Sequence, residues 1–252
     1  MSAVAVTAPL PVRHGFFTRR GGVSEGPFAS LNCSLSTGDA RERVLENRAR
    51  VAHAIGAEPE NIVTQYQVHG ATAVHVEKPW LPGHGPRADA TVTDRPGIVL
   101  GVITADCAPV LFADATAGVI GAAHAGWRGA VAGILESTLH AMLALGADPA
   151  RVVAAIGPCI AQLSYEVGPD LRDAVLARAP EHAAFFVDGV RPDRWQFDLG
   201  GYCAARLRAA GVATVELLAI DTFSAEENFF SHRRRTRAGG GPIGHQISVI
   251  SL

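Results

Sequence analysis

The run Gly97-Ile98-Val99-Leu100-Gly101-Val102-Ile103-Thr104-Ala105-Asp106-Cys107-Ala108-Pro109 decides how the chain is read. Its first eight residues are mostly apolar, the pattern of a strand buried on both faces. Polar Thr104, Asp106 and Cys107 then stand at the strand's end, where α and β folds present functional groups. Next, Val110 to Ala113 and Val119 to Ala123 read as two more strands, joined by a turn at Asp114 to Gly118. The clearest helix begins near Gly129. Val131, Ile134, Leu135, Thr138, Leu139 and Met142 follow the i, i+3, i+4, i+7 rule, and Gly146 reads as its C-cap.

Outward from this centre the same signals continue. Phe16 to Ser24 reads as a short strand running into a glycine turn. From Asp39 the chain looks helical, with Val44, Asn47, Arg48, Val51 and Ala52 on adjoining turns and Gly56 as the stop. Ala71 to Glu77 alternates like a strand, and Pro79 to Pro86 is a loop. Downstream, a strand at Val152–Ile156 precedes Gly157-Pro158. Helices at about 169–178 and 199–210 and strands at 215–220 and 246–250 complete the chain. Strands and helices interleave without strict alternation, so the expected class is α+β with mixed sheets layered against helices. No linker, repeat or low-complexity stretch divides it, and residues 1–252 read as a single domain.

The chain has 252 residues, 48% of them hydrophobic and 18% charged, with a formal net charge of −2. A length near 250 supports a core that needs no disulfide or metal to hold it. The balanced charge argues against nucleic-acid binding, and no apolar run approaches the ~18 residues of a membrane helix. No secretory signal is visible, so the expected compartment is the cytoplasm, with reduced thiols and a monomer as the default. All but one of the 22 basic residues are arginine, Lys78 being the exception. Any anion site will therefore be built from Arg, which grips phosphate bidentately.

Two segments are unusual for folding alone. One is Thr104 to Pro109; the other is His124-Ala125-Gly126-Trp127-Arg128-Gly129, between a strand and the best helix. Cys107 and His124 lie 17 residues apart, flanking a hairpin that can point both into one cleft. His69, in Gln67-Val68-His69-Gly70, is the third candidate. One thiolate and two imidazoles suit a tetrahedral Zn²⁺ with a vacant fourth position. The same residues also suit a Cys–His nucleophile pair, or a buried structural Cys with two satisfied histidines. The bare sequence leaves all three open.

The motifs Gln67-Val68-His69-Gly70, Ala88-Asp89-Ala90, Thr104 to Val110, His124 to Gly129 and Gly157-Pro158-Cys159-Ile160 occur in that order. With Phe17-Thr18-Arg19, Gly21 to Ser24, Leu31-Asn32, Asn47-Arg48, Tyr165 to Gly168 and Phe229 to Arg234, they span about residues 16–250. The chain so resembles the YfiH or laccase-domain family, also described as polyphenol oxidase-like or as multi-activity purine nucleoside phosphorylases. The resemblance implies a YfiH-like fold and a metal site at His69, Cys107 and His124, holding zinc, with copper in some relatives. It also implies phosphorolysis of adenosine, inosine, guanosine or methylthioadenosine, so that purine nucleosides and phosphate are the partners, together with adenosine deamination. Alternatives are a copper-dependent polyphenol oxidase and a Cys–His hydrolase or amidase acting on cell-wall precursors. One Cys and two His hold one metal, whereas four-electron reduction of oxygen ordinarily takes several coppers.

Among the remaining residues, Arg48 is the first choice for an anion contact, followed by Arg19 and Arg128. Ser24 and Asn32 are candidates for a nucleoside hydroxyl or base edge. Asp106 is expected to act on substrate or to orient a ligating histidine, and Glu166 to bond a ribose or to form an ordinary salt bridge. Trp127 is expected to fill the core, and Cys33, Cys159 and Cys203 to pack. The arginine-rich run His232 to Arg237 reads as a solvated or ion-paired loop, with a phosphate or nucleic-acid patch as the alternative, and no role is assigned to His245. Two departures from the family stand out: Asp221 replaces a common Cys, and Gly244-His245 replaces Gly-Arg.

Overall fold

A computed structural model of the chain describes residues 2–252. Strands β1 (Ala5–Val6) and β2 (Arg13–Phe17) precede helix α1 (Arg41–Ala54). Six strands follow: β3 (Ile62–Thr64), β4 (Ala73–His75), β5 (Ala90–Thr93), β6 (Val99–Thr104), β7 (Ala108–Asp114) and β8 (Val119–Ala125). Helices α2 (Trp127–Ala132) and α3 (Ile134–Leu143) lead to β9 (Val153–Ile156), β10 (Glu166–Val167) and α4 (Pro169–Leu176). The chain ends with β11 (Phe186–Asp188), β12 (Trp195–Phe197), α5 (Leu199–Ala209), β13 (Thr214–Leu217), α6 (His232–Arg237) and β14 (Gln246–Ser251).

The strands form a five-stranded sheet β1-β2-β14-β6-β3, a six-stranded sheet β13-β9-β7-β8-β5-β4 and a small sheet β10-β12-β11. Parallel pairs β3–β6, β4–β5 and β13–β9 join otherwise antiparallel ladders. The sheets are mixed and the class is α+β, as the interleaving predicts. No helix among the described residues is long and apolar enough to cross a membrane.

Side-chain alternation builds the layers. Phe16, Leu100, Val102 and Ile250 of the five-stranded sheet meet Leu111, Ala113, Ile120 and Ala122 of the six-stranded sheet in one core. Phe17, Val99, Ile247 and Val249 face the other way, onto Val51 and Ala52 of α1. Val110, Phe112 and Ala123 pack instead under Ile134, Leu135 and Leu139 of α3 and Leu207 of α5. Both central sheets are therefore covered on both sides, which is why β6 reads as an unbroken apolar run.

Two sequence expectations are corrected here. The helix expected from Gly129 to Gly146 is two helices, broken at Gly133, whose φ of +100° ends α2 and starts α3. Periodicity continues across the break because both helices press the same face onto β8. The second correction concerns residues 232–237, which form α6 rather than a loop. Ser231 caps it by accepting from the Arg234 N–H at 3.1 Å.

Candidate active site

Hairpin register brings two of the candidate ligands together. Pro109 pairs with His124 and Ala108 with Ala125, so Cys107 stands one residue beyond the ladder, beside His124. His69 arrives from the connection between β3 and β4. A buried carboxylate fixes its position: Asp89 accepts from the backbone N–H groups of Val68 (3.2 Å), His69 (2.9 Å) and Gly70 (2.7 Å). Asp89 also accepts from His124 Nδ1 at 2.9 Å, which leaves Nε2 free to ligate. One carboxylate thus orients both histidines.

The resulting cluster is tight. The ligating atoms of His69, Cys107 and His124 all lie within 4.8 Å of one another. Cys107 Sγ is 3.9 Å from His69 Nε2, and the two imidazoles meet edge to face at 4.7 Å. Gly126 makes this approach possible, since a Cβ there would sit 2.9 Å from His69 Cδ2 and 3.0 Å from Cys107 Sγ. His69 (φ +59°) and Asp106 (φ +91°) adopt left-handed backbone that non-glycine residues rarely hold. Such strain costs about 1–3 kcal/mol per residue and collects at functional sites.

Electrostatics set Cys107 apart from the other cysteines. Burial would push its thiol up, but the neighbouring His124 and His69 outweigh that and bring it down to about 6. Burial likewise opposes the charged form of His124, yet the Cys107 thiolate and Asp89 raise it to about 9. Cys33 and Cys159 are pushed up to about 12 by burial, as packing residues should be. The surroundings of Cys107 therefore favour the thiolate, the state in which sulfur ligates or attacks.

Two nitrogens and one sulfur, with a carboxylate behind one imidazole, form a donor set that suits a single zinc or copper ion. A copper electron-transfer site with the same three ligands commonly adds a weak axial methionine, glutamine or backbone oxygen. The methionine among the described residues, Met142, lies on α3 and is buried in the core, whereas Gln65 lines the same cavity as the cluster. Among those residues, this cluster is also the one grouping of three or more His, Cys, Asp or Glu side chains that fits a metal ion. The site suits one ion.

The cluster lines a cavity of about 670 Å³, within the ~300–1,000 Å³ range of small-molecule sites. Arg128, Arg233, His232, His245, Tyr165, Trp127 and Arg48 also line it. Arg128 stacks over the Trp127 ring at 4.3 Å, and Arg233 sits 5.4 Å from the Tyr165 ring. Neither guanidinium has a carboxylate partner among the described residues. Trp127 is half-buried: it packs against the core, as expected, and also forms cavity wall.

Several expected site residues are committed elsewhere. Arg48 reaches the cavity, but its guanidinium donates to the carbonyls of Cys33 (3.3 Å) and Ile62 (3.4 Å) and to Thr64 Oγ1 (3.2 Å). Arg19 donates to the Ala29 and Glu226 carbonyls and lies over Phe230. Ser24 donates to Asp39 at 2.6 Å, while Asn32 bonds Thr37, Asp39 and the His245 N–H. Arg19, Ser24 and Asn32 therefore shape the N-terminal loop and stand outside the cavity lining. Glu166 is ion-paired to Arg191 rather than turned to a sugar.

Asp106 does not orient a ligating histidine; Asp89 does. Asp106 accepts instead from Thr222 Oγ1 (2.7 Å), Ser231 Oγ (3.0 Å) and the Arg233 N–H (2.6 Å), clamping α6 over the site. Asp221, at the first departure, accepts from the Ala161 N–H and Ser164 Oγ and serves as a loop anchor. The places of Asp89 and His245 escaped sequence reasoning, and the run holding His232 and Arg233 reads from sequence first as a loop and only second as a phosphate patch. Asp89 had a signal in the Ala-Asp-Ala motif; the others depend on α6 and the start of β14 folding back onto the site.

A family model described as "Multi-copper polyphenol oxidoreductase laccase" matches residues 13–252, and the chain belongs to that family. A Deinococcus radiodurans protein named purine nucleoside phosphorylase is 43% identical over 245 residues, covering 96% of this chain and 90% of its own length. Escherichia coli purine nucleoside phosphorylase YfiH is 39% identical over 225 residues, 88% of each chain. Among solved structures, YlmD from Geobacillus stearothermophilus superposes with a TM-score of 0.91 at 32% identity, covering 100% of this chain and 96% of its own. Neisseria meningitidis protein NMB0706 gives a TM-score of 0.88 at 34% identity, with coverages of 100% and 99%.

Proposed function

We propose that this chain is a zinc-dependent purine nucleoside phosphorylase that takes adenosine, inosine, guanosine and methylthioadenosine, and also deaminates adenosine. It works in the cytoplasm as a monomer. The observation that carries this reading is the His69–Cys107–His124 cluster opening onto a cavity that also presents two unpaired guanidinium groups. The names of the relatives supply the purine class. His69, Cys107 and His124 would hold the ion, which when bound supplies Lewis acidity and lowers the pKa of a coordinated water toward ~7.

In phosphorolysis an oxygen of phosphate bonds to the sugar C1′ as the bond from C1′ to the base nitrogen breaks, and its electron pair leaves with the base. Arg128 and Arg233 are the cations that can grip phosphate oxygens and hold them for that attack. The cationic wall also favours the negative charge that builds on the departing purine. Deamination is hydrolytic: water oxygen replaces the 6-amino group, which leaves as ammonia.

Mass spectrometry of products from adenosine, incubated with zinc-loaded protein with and without phosphate, tests this directly. Adenine and ribose 1-phosphate are expected only with phosphate, and inosine without it. Absence of all three from metal-loaded protein would overturn the assignment. A second reading, a Cys–His hydrolase or amidase acting on cell-wall precursors, draws on the thiolate at Cys107. The copper oxidase alternative asks for more ligands than the one cluster offers.

A further inference from the structure

Three neighbouring strands of the five-stranded sheet meet the cavity at their ends. β3 stops at Thr64, β6 stops at Thr104 and β14 starts at Gln246. Gln65, Thr104 and His245 stand at those ends, in strand order, and all three form cavity wall. Each carries a buried polar atom with no hydrogen-bond partner among the described residues: both amide atoms of Gln65, the hydroxyl of Thr104 and Nδ1 of His245. Gln65 is only 6% exposed and Thr104 1%. Buried polar groups are almost always paired, so three orphans in one wall call for a cause.

Two nearby glutamines show that the fold can satisfy such a group. Gln67 exchanges hydrogen bonds with the peptide of Ile103, donating to its carbonyl at 2.7 Å and accepting from its N–H at 2.8 Å. Gln246 accepts from the Phe230 N–H at 2.9 Å and donates to its carbonyl at 3.3 Å. Gln65 carries the same donor–acceptor pair and spends it on nothing among the described residues. Its complement is a ligand edge with one donor beside one acceptor.

We propose that Gln65 is the specificity-determining residue for the base, its carboxamide pairing with the N1 and C6 edge of a purine, flanked by Thr104 and His245. This rests on the purine nucleoside reading above. A 6-oxopurine offers N1–H as donor and O6 as acceptor; a 6-aminopurine offers N1 as acceptor and N6–H as donor. A carboxamide turned by half a revolution pairs with either. One residue thus accommodates both adenosine and inosine, consistent with a phosphorylase that does not choose between them.

The test compares kcat/KM for adenosine, inosine and guanosine in the wild type, Gln65→Leu and Gln65→Glu. Gln65→Leu is expected to lower all three by about tenfold to a hundredfold, the loss of a paired edge. Its melting temperature should hold or rise, because an unpartnered buried amide has been removed. Gln65→Glu sets two acceptors side by side, matching the N1–H and N2–H donors of guanine and opposing N1 of adenine. The guanosine-to-adenosine ratio should therefore rise at least about tenfold. Should the leucine variant fail to fold, the ratio in the glutamate variant still decides. An unmoved preference in an active, folded variant overturns the assignment of Gln65 alone. A wild type that turns over no purine nucleoside overturns the functional reading and this assignment with it.

Discussion

Cys107→Ala and His69→Ala are each expected to lose bound metal and to cut nucleoside turnover by about a thousandfold or more, the scale set by removing a Lewis acid from the reacting centre. The expectation follows from ligand count. The cluster offers three donors, and two are too few to hold zinc in an open tetrahedral site. Folding should survive both changes. His69 is exposed on its loop and Cys107 only half-buried, so neither truncation empties the core. The alanine at 107 also relieves a charge: with the thiolate gone, His124 loses the partner that holds its proton, and Asp89 alone remains to orient it. Metal analysis and turnover must be measured on the same preparation. Loss of both supports the metal centre. Full metal occupancy with lost turnover would instead make Cys107 the nucleophile and favour the hydrolase reading.

Asp89→Ala is expected to damage both stability and site. The carboxylate is fully buried and satisfies three consecutive backbone N–H groups as well as His124. Its removal leaves those donors orphaned and His124 Nδ1 without its acceptor. Each buried donor left unsatisfied costs about 1–3 kcal/mol. The metal site should weaken by at least ~10–100-fold, as when a carboxylate behind a ligating histidine is lost. Burial opposes the charge on Asp89, but the bonds from His124 and from the Val68 and Gly70 peptides outweigh it and hold its pKa below the ordinary carboxylate value. Its contribution is therefore present above the unfolded carboxylate pKa and is lost as pH falls through the lower, folded value. Denaturant unfolding and zinc titration of the variant check the two effects. Wild-type stability with wild-type zinc affinity would refute the role given to Asp89.

The central strands were legible because they are buried on both faces. β6 announces itself as an apolar run, and Cys107 and His124 fall at the two ends of a hairpin whose register the turn at Asp114 fixes. Gly133 misled because a left-handed glycine interrupts the backbone without interrupting the apolar stripe. Arg48 was legible as a special arginine, but burial turned its guanidinium onto backbone carbonyls rather than leaving it wholly to the cavity. His232, Arg233 and His245 were illegible for a different reason. Their place over the site depends on the Asp106 clamp, which joins residues 106 and 233 across 127 positions of sequence. Nothing local in an arginine-rich run distinguishes a solvated loop from a short helix held by a distant carboxylate. Gln65 carries no motif at all, and its interest appears only once its neighbours' hydrogen bonds are known.

The most direct test of the account is to titrate zinc into metal-free protein while following ribose 1-phosphate release from inosine and phosphate. Inosine is chosen because it has no 6-amino group to lose. Activity should climb linearly and break at about one zinc per chain, as a single three-ligand site requires. Phosphorolysis that is already complete without zinc, and indifferent to its addition, would contradict it.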